Sequence, residues 1–351
     1  MKDLFAPCTV GGLHLRNRIC RSATNDYAGN LDGTVSDIQM QIYQQLAEND
    51  VGLIITGHAC VCPEGRNDPR QNCMYDDRFI PSQQALTALV HRHGGKIVQQ
   101  LNHSGGLCPP DVIGGTPAAP SPLAYKPGIQ AYALSKAEIL QIQDHFASAA
   151  MRAKKAGYDG VQIHCAHGYL FSEFIDPQTN ERTDEYGGNA ENRFRIVRET
   201  IMRVRKAVGA DYPILLKLHV NIRGQDAAFP AALADMLHFA QSQGIAAAEL
   251  SGYDFAVQPP EAQSYYLKQA KTLAALPDIP PLILVGGLHS RDTMQAALDV
   301  GMALVSAARP FICQPDLIRR IRDGSISACC GCYGCFRCYQ QTGRRCVLHK
   351  P

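Results

Sequence analysis

Residues 160–170 read GVQIHCAHGYL, an apolar strand pattern that ends directly in polar rings. The alternating apolar residues at its start have the spacing of a buried strand, and His164, His167 and Tyr169 follow within six positions. In parallel α/β barrels, functional side chains lie where strands end. The stretch therefore predicts one strand of such a barrel, with two imidazoles and a phenol at its open end.

Apolar runs of this kind alternate with amphipathic stretches along the chain. The predicted strands are Arg18–Arg21, Gly52–Thr56, Lys96–Leu101, Gly160–His164, Ile214–Leu218, Ala247–Leu250, Leu282–Val285 and Ala303–Ser306. The clearest predicted helices are Lys136–Ala156, which begins with a capping box at Ser135, and Asn189–Val208, Pro230–Gln243 and Arg291–Leu298. Eight strand–helix units favour an α/β fold of the closed (β/α)8 TIM barrel type over an open sheet.

Two segments depart from the repeat. Ser104–Tyr132 is a long loop after strand 3, rich in Pro and Gly, which we expect to form a lid or rim over the active face. The Cys-rich C-terminal extension has no helical or strand period. We therefore predict a barrel over residues 1–321 and a cluster- or metal-binding tail over residues 322–351.

Composition excludes several classes of function. The formal charge is +2 in 351 residues, so nothing global indicates nucleic acid or an anionic membrane as a partner. The first residues lack an apolar export signal, and no apolar run reaches 18 residues. We expect a cytoplasmic protein.

The polar group at the end of the 160–170 stretch has a chemical rationale. Two neutral imidazoles can donate hydrogen bonds to a carbonyl oxygen, as His164 and His167 would, and stabilise negative charge there. The Tyr169 phenol can donate a proton to carbon or oxygen. Two alternatives remain open: satisfied polar residues at a strand end, or a zinc pair, for which no third ligand is evident.

The stretch IHCAHGYLFSEFIDPQTNERTDEYGGNAENR resembles the signature of the Old Yellow Enzyme family of flavin-dependent ene-reductases. Five other segments are similar to that family in the same order: NRICRSATNDY, GLIITGHACVCPEGR, IVQQLNHSGG, LVGGLHSRDTM and VSAARPFICQPDL. The resemblance implies FMN across the C-terminal mouth of the barrel. It also implies that His164 and His167 bind the substrate carbonyl, that Tyr169 donates the proton, and that Tyr27 donates a second hydrogen bond.

The same resemblance implies a set of cofactor-binding residues. Lys217 stands where an arginine is usual, and Asn25 where Thr or Cys is common. Either Gly57 or the neighbouring His58 is expected beside the ring. Glycines at strand ends also suit tight turns, which is the alternative explanation for the pair after strand seven. The implied FMN-binding residues are Ser22, Ala23, Thr24, Asn25, Gly57, Gln100, His164, Lys217, Gly286, Gly287, Ala308 and Arg309.

The tail carries six of the 14 cysteines in two overlapping frames. Cys329, Cys332, Cys335 and Cys346 have spacing typical of a [4Fe-4S] cluster, and Cys338 is the alternative to Cys329. The first frame resembles the cluster loop of trimethylamine dehydrogenase and 2,4-dienoyl-CoA reductase, members of the wider family. A structural zinc ion or a metal-free tail are the alternatives.

The leading hypothesis is an FMN-dependent oxidoreductase that reduces the activated C=C bond of an enone or enoyl thioester, with NAD(P)H as reductant. One alternative is an amine dehydrogenase or demethylase that passes electrons through the cluster to a protein acceptor. Another is a redox electron-transfer subunit. A protein partner would then be a separate chain. Related barrels often pair, so a homo-oligomer is also among the expectations.

Overall fold

The computed structural model describes residues 2–126, 128–224, 226–336, 343 and 345–348. Its centre is a closed barrel of parallel strands, in which the last strand pairs with the first and the third pairs with the fourth. The prediction of a (β/α)8 TIM barrel is confirmed. The strands are β1 (Ile19–Arg21), β2 (Leu53–Ile55), β3 (Ile97–Asn102), β4 (Gly160–Cys165), β5 (Ile214–His219), β6 (Ala247–Ser251), β7 (Leu282–Val285) and β8 (Leu304–Ala307).

A helix follows each strand and covers the outside of the barrel. The Ser135 capping box is present, since its side chain accepts from the Glu138 N–H and Glu138 accepts from the Ser135 N–H. The helices are α1 (Asp37–Glu48), α2 (Ile80–Arg92), α3 (Lys136–Lys155), α4 (Arg195–Val208), α5 (Phe229–Ser242), α6 (Leu267–Ala274), α7 (Arg291–Asp299) and α8 (Leu317–Arg322).

One helix differs from its prediction. Asn189–Val208 was expected as a single helix, but a short helix, Ala190–Arg193, precedes α4 and the two are separated at Phe194. Asn189 lies outside the first turn because its side chain accepts the Asn192 N–H at 2.8 Å, which is an N-cap interaction. The buried Phe194 ring stacks on Phe229, so packing decides where the chain turns.

The amino-terminal end of the barrel is closed by a hairpin. Strands Cys8–Val10 and Leu13–Leu15 pair antiparallel, and their apolar side chains pack in one cluster with residues of the barrel strands, among them Leu53, Leu215 and Ile283. This plug fills the lower interior. The opposite, carboxyl-terminal end is where polar side chains collect, so the fold places any site there.

The insertion after β3 is partly ordered by pairing within the chain. Ala118–Ala119 pairs with Tyr132–Ala133, and Ala124–Lys126 pairs with Ile129–Gln130. Arg182, in the loop after β4, donates to the Pro120 carbonyl at 3.0 Å and to the Leu134 carbonyl at 2.6 Å. The insertion therefore packs on the β4 loop, and its role as a lid stays a prediction.

Among the described residues after α8, the structure has one regular element, a 3-10 turn at Gly334–Phe336. Arg309 anchors it, because its Nη1 donates to the Gly331 carbonyl at 3.2 Å and its guanidinium lies 4.1 Å from the Tyr333 ring centroid. The predicted boundary between residues 321 and 322 stays a prediction. Within the described ranges, no helix has both the length and the apolar character that crossing a membrane requires.

Candidate active site

A cavity of about 1160 Å³, open solvent included, lies at the carboxyl ends of the strands. It brings together nearly every residue predicted for catalysis or FMN binding. Gly57 does not line it: its N–H donates to the Tyr43 hydroxyl at 3.0 Å, and the neighbouring His58 lines the cavity instead. The predicted residues that do are Ser22, Ala23, Thr24, Asn25, Tyr27, Gln100, His164, His167, Tyr169, Lys217, Gly286, Gly287, Ala308 and Arg309.

The two imidazoles and the phenol that follow β4 converge. The His164 ring centroid lies 5.2 Å from the ring centroids of both His167 and Tyr169. His164 belongs to the strand itself, whereas His167 has a left-handed φ of 64° and is followed by Gly168 with φ 78°. This tight reversal brings the second imidazole and the phenol back over the strand end.

Side chains from the next two strands hold His167. The last residue of β5, His219, accepts the His167 backbone N–H at its Nε2 (2.8 Å). The last residue of β6, Ser251, lies 3.0 Å from His167 Nε2, and the Phe255 ring is 4.6 Å away between centroids. Sequence reasoning missed all three, although the strand-end rule that identified His164 also applies to His219 and Ser251.

Both imidazoles are neutral near pH 7. Burial, followed by the nearby His58 and Lys217, holds the pKa of His164 well below its usual range. Burial and Lys217 do the same for the pKa of His167. A neutral imidazole carries one N–H donor and costs less to bury than an imidazolium ion. The pair is therefore able to donate to an uncharged oxygen without titrating near neutrality.

These shifts give the protein a testable acid sensitivity. Burial lowers the pKa of His103 and of His219 to about 3. As the pH falls below 6.5, these two imidazoles therefore become protonated in the unfolded chain but stay neutral in the folded protein. The free energy of unfolding must then fall as pH falls. We expect His103→Asn, which keeps an acceptor for the Gly105 N–H, to reduce this decline by about 1.4 kcal/mol per pH unit between pH 6 and 4.

The measurement is urea unfolding at several pH values, with His14→Asn as the control. His14 is exposed on the hairpin, so its replacement should leave the slope unchanged. Equal slopes for wild type and His103→Asn would contradict the assignment of a buried neutral imidazole.

Below the cavity, a chain of polar side chains crosses the barrel interior. Gln100 donates to Gln162 at 2.7 Å, and Gln162 donates to Glu249 at 3.0 Å. Lys217 Nζ lies 2.7 Å from Ser22 Oγ and 3.2 Å from a Glu249 carboxylate oxygen. Burial opposes ionisation of Glu249, but Lys217 and hydrogen bonds from Ser22 and Gln162 hold its pKa below the usual range. Glu249 was not predicted, although a carboxylate within a buried strand was a signal for it.

We expect Lys217→Met to lower the free energy of unfolding by about 3 to 5 kcal/mol, because it leaves Glu249 charged and unpaired in the barrel interior. Lys96→Met is the matched control. The Lys96–Asp159 pair is shorter, at 2.7 Å, but the Lys96 side chain is 37% exposed, and its loss should cost about 1 kcal/mol or less. Urea unfolding of both variants measures the difference, and equal costs would refute it.

The opposite end of the cavity is formed after β7 and β8. A Cβ on Gly287 would lie 2.6 Å from the Ser264 nitrogen, so glycine is required there for close backbone approach. Arg309 Nη2 donates to the Tyr265 hydroxyl at 3.0 Å. His289 also lines this end and was not predicted. The alternative explanation for Gly286 and Gly287, close packing in a tight turn, therefore applies. It is compatible with a phosphate site built around Arg309.

Several buried polar atoms of the cavity lack protein partners. Among the described residues, Asn25 Nδ2, His164 Nδ1 and both ring nitrogens of His289 have no hydrogen-bond partner. Burying such atoms unsatisfied costs about 1 to 3 kcal/mol each. They lie from one end of the cavity to the other, together with Lys217 and Arg309. This donor set fits a flat, polar-edged group that carries a phosphate, as FMN does.

Among its described residues, the cysteine tail does not form a metal site. Burial raises the pKa of Cys329, and within the described ranges no three Cys, His, Asp or Glu side chains are arranged to hold a metal. Cys338, the predicted alternative ligand, lies outside those ranges. No step is derived through a cluster or zinc ion. One cavity of about 330 Å³ is nevertheless lined by six cysteines: Cys313, Cys329, Cys330, Cys332, Cys335 and Cys346.

Comparison with known proteins identifies the class to which this barrel and its polar cavity belong. Residues 3–327 match the NADH:flavin oxidoreductase / NADH oxidase family, and the chain belongs to that family. The predicted resemblance to the Old Yellow Enzyme family is thereby confirmed.

Two relatives show the extent of the similarity. A metal reductase of Desulforamulus reducens is 33% identical over 344 residues, which are 92% of this chain and 49% of the relative. An NADH oxidase of Thermoanaerobacter brockii is 32% identical over 334 residues, covering 92% and 51%. The chain thus spans about half the length of these relatives.

Solved structures agree with the fold. An old yellow enzyme homologue from Zymomonas mobilis has a TM-score of 0.80 and 32% identity, with 92% of each chain covered. Morphinone reductase in complex with tetrahydroNAD has a TM-score of 0.79 and 28% identity, with 92% and 91% covered. A 2-naphthoyl-CoA reductase has a TM-score of 0.89 at 21% identity and covers 99% of this chain and 56% of its own, which shows the fold alone.

Proposed function

We propose that this protein is an FMN-dependent reductase of the activated C=C bond in α,β-unsaturated carbonyl compounds, either enones or enoyl thioesters. The observation that carries the proposal is the convergence of His164, His167 and Tyr169 at one edge of a cavity whose unsatisfied donors suit FMN. Two of these groups are uncharged donors and the third is an acid. That combination serves a carbonyl oxygen and its α-carbon better than it serves an amine.

The proposal assigns positions to the cofactor and the substrate. Ser22 to Asn25, Gln100 and Lys217 would hold the flavin ring, and Gly286, Gly287, Ala308 and Arg309 would hold its phosphate. When bound, FMN supplies the hydride for the β-carbon. Lys217, with its Nζ beside Ser22, would provide positive charge near the pyrimidine edge, but as a point charge without the fork of an arginine.

The chain's own residues would then act on the substrate. His164 and His167 donate to the carbonyl oxygen and stabilise the negative charge that develops there, which is the role of an oxyanion hole. Tyr27 adds a donor from the loop after β1. Tyr169 transfers its phenolic proton to the α-carbon and is reprotonated from solvent, so that one hydride and one proton complete the reduction.

The test is anaerobic rapid-mixing spectroscopy of purified holoenzyme. NADH or NADPH should bleach the flavin absorbance near 450 nm, and 2-cyclohexenone or a short enoyl-CoA should restore it with formation of the saturated product. A protein whose flavin is reduced by a secondary or tertiary amine, and whose reduced flavin is reoxidised by no enone or enoyl thioester, would refute the proposal.

The metal content of the tail is a separate prediction, and it rests on the spacing of Cys332, Cys335 and Cys346 with either Cys329 or Cys338. Iron, acid-labile sulfide and zinc analysis of anaerobically purified protein measures it directly. Four irons and four sulfides per chain would support a [4Fe-4S] cluster, and one zinc ion would support the structural alternative. Absence of both iron and zinc would support a metal-free tail.

A further inference from the structure

The hydroxyl group of Tyr169 is contacted by two nitrogen atoms from the loop after β2, where the sequence predicted only a flavin contact at Gly57 or His58. His58 Nε2 lies 3.3 Å from the Tyr169 oxygen, and Asn67 Nδ2 lies 3.2 Å from it. Both residues follow β2, on the far side of β3 from the strand that ends in His164. The His58 and Tyr169 ring centroids are 5.0 Å apart.

The orientation of the Gln71 amide determines which nitrogen of His58 carries the proton. Gln71 Oε1 accepts the Asn67 backbone N–H at 2.6 Å, and Gln71 Nε2 donates to the His58 carbonyl at 3.2 Å. A carbonyl cannot donate and an N–H cannot accept, so these two contacts exclude the flipped amide. The Nε2 donor is then also the atom that faces His58 Nδ1, at 2.7 Å.

His58 Nδ1 must therefore be an acceptor. A second amide nitrogen, Nδ2 of the buried Asn102, lies 3.3 Å from the same atom and also donates to Ser104. An imidazole with an unprotonated Nδ1 is neutral and carries its hydrogen on Nε2. His58 Nε2–H then donates to Tyr169, as Asn67 Nδ2–H does.

We propose that His58, fixed by Gln71, is a positioning residue for the acid: it donates to the Tyr169 oxygen, so that the phenol gives its own proton to substrate and not to a neighbour. The proposal rests on the proposed function, in which Tyr169 is the acid. Two donors on the phenol oxygen would also stabilise the phenolate that remains after proton transfer.

The kinetic test compares His58→Leu, which removes the N–H, with His58→Gln, whose amide nitrogen can take the place of Nε2. We expect His58→Leu to slow reoxidation of the reduced holoenzyme by 2-cyclohexenone about 10- to 100-fold at saturating enone, with less than a threefold change in enone affinity. His58→Gln should recover most of the rate. His14→Leu, on the distant hairpin, is the control for the substitution itself.

Two kinetic outcomes would overturn the proposal. One is an unchanged rate of enone-dependent reoxidation in His58→Leu. The other is a loss that does not depend on the hydrogen-bond donor: either the rate falls equally in His58→Leu and His58→Gln, or only enone affinity falls. Either form would indicate a packing role and not hydrogen-bond donation.

A second measurement does not depend on turnover. In ¹⁵N-histidine NMR of the holoenzyme, the resonances that disappear in His58→Gln should report a protonated Nε2 and an acceptor-type Nδ1. The reversed tautomer, or protonation of both nitrogens, would overturn the proposal. If wild type reduces no enone, the proposed function fails, and the tautomer alone decides whether His58 is a donor to Tyr169.

Discussion

Replacement of Tyr169 by Phe is expected to slow reoxidation of the reduced protein by an enone about 10²- to 10⁴-fold, because a positioned general acid contributes a factor of that size. The rate at which NAD(P)H reduces the flavin should change less than threefold, since no proton is donated to carbon in that step. The phenyl ring keeps the contacts of Tyr169 with the rings of His58 and His164. The loss would therefore be chemical and not structural.

Rapid mixing of each half-reaction separately provides the measurement. Tyr75→Phe is a matched control, because Tyr75 is a partly buried tyrosine that packs on Phe79 outside the cavity. If Tyr169→Phe reoxidised with an enone at the wild-type rate, another group would have to be the acid. If both half-reactions slowed together, the change would have disturbed the cavity as a whole.

Removal of one imidazole of the pair, that of His164, is expected to have the second large effect. His164→Ala should lower kcat/KM for an enone about 10²- to 10³-fold, as loss of one oxyanion donor does elsewhere. A His164→Asn variant retains an N–H donor and should lose less. Because burial keeps both imidazoles neutral, kcat/KM should show no loss from their protonation between pH 8 and pH 5.5.

The measurement is steady-state turnover of a series of enones across that pH range, together with flavin content to exclude loss of cofactor. His91→Ala serves as the control, since His91 lies on the outer face of the barrel, where it pairs with Asp159. A full retention of kcat/KM in His164→Ala, or an acid limb near pH 6.5 that disappears in His164→Asn, would contradict neutral donors at this position.

The barrel was predictable because its strands are buried on both faces and read as short continuous apolar runs. Each predicted strand falls within a residue or two of its observed counterpart, as with Gly160–His164 against Gly160–Cys165. The break at Phe194 was not predictable in the same way. Apolar periodicity continues through it, and at the interruption the Phe194 ring packs on Phe229 of α5, a contact that local sequence does not reveal.

The site shows the same division. Residues that lie on the predicted strands, such as His164 and Lys217, could be identified from the sequence. Residues that act through neighbours in space could not, because the contact of Gln71 with His58 spans a loop that has no period. Glu249 is intermediate: its strand was predicted, but its partner Lys217 lies on the adjacent strand. In the tail, the spacing of the cysteines in the sequence predicts which of them could bind a metal. It does not specify whether their sulfur atoms meet at one point in the folded protein.

The hairpin that closes the lower end of the barrel has a kinetic consequence. With that end sealed, the nucleotide and the enone of the proposed reaction would both have to enter the cavity from its carboxyl-terminal side. Two molecules that enter through one opening would bind in alternation. Double-reciprocal plots of the initial rate against one reactant, at several fixed concentrations of the other, should therefore be parallel lines. An excess of either reactant should then slow turnover by delaying the arrival of the other.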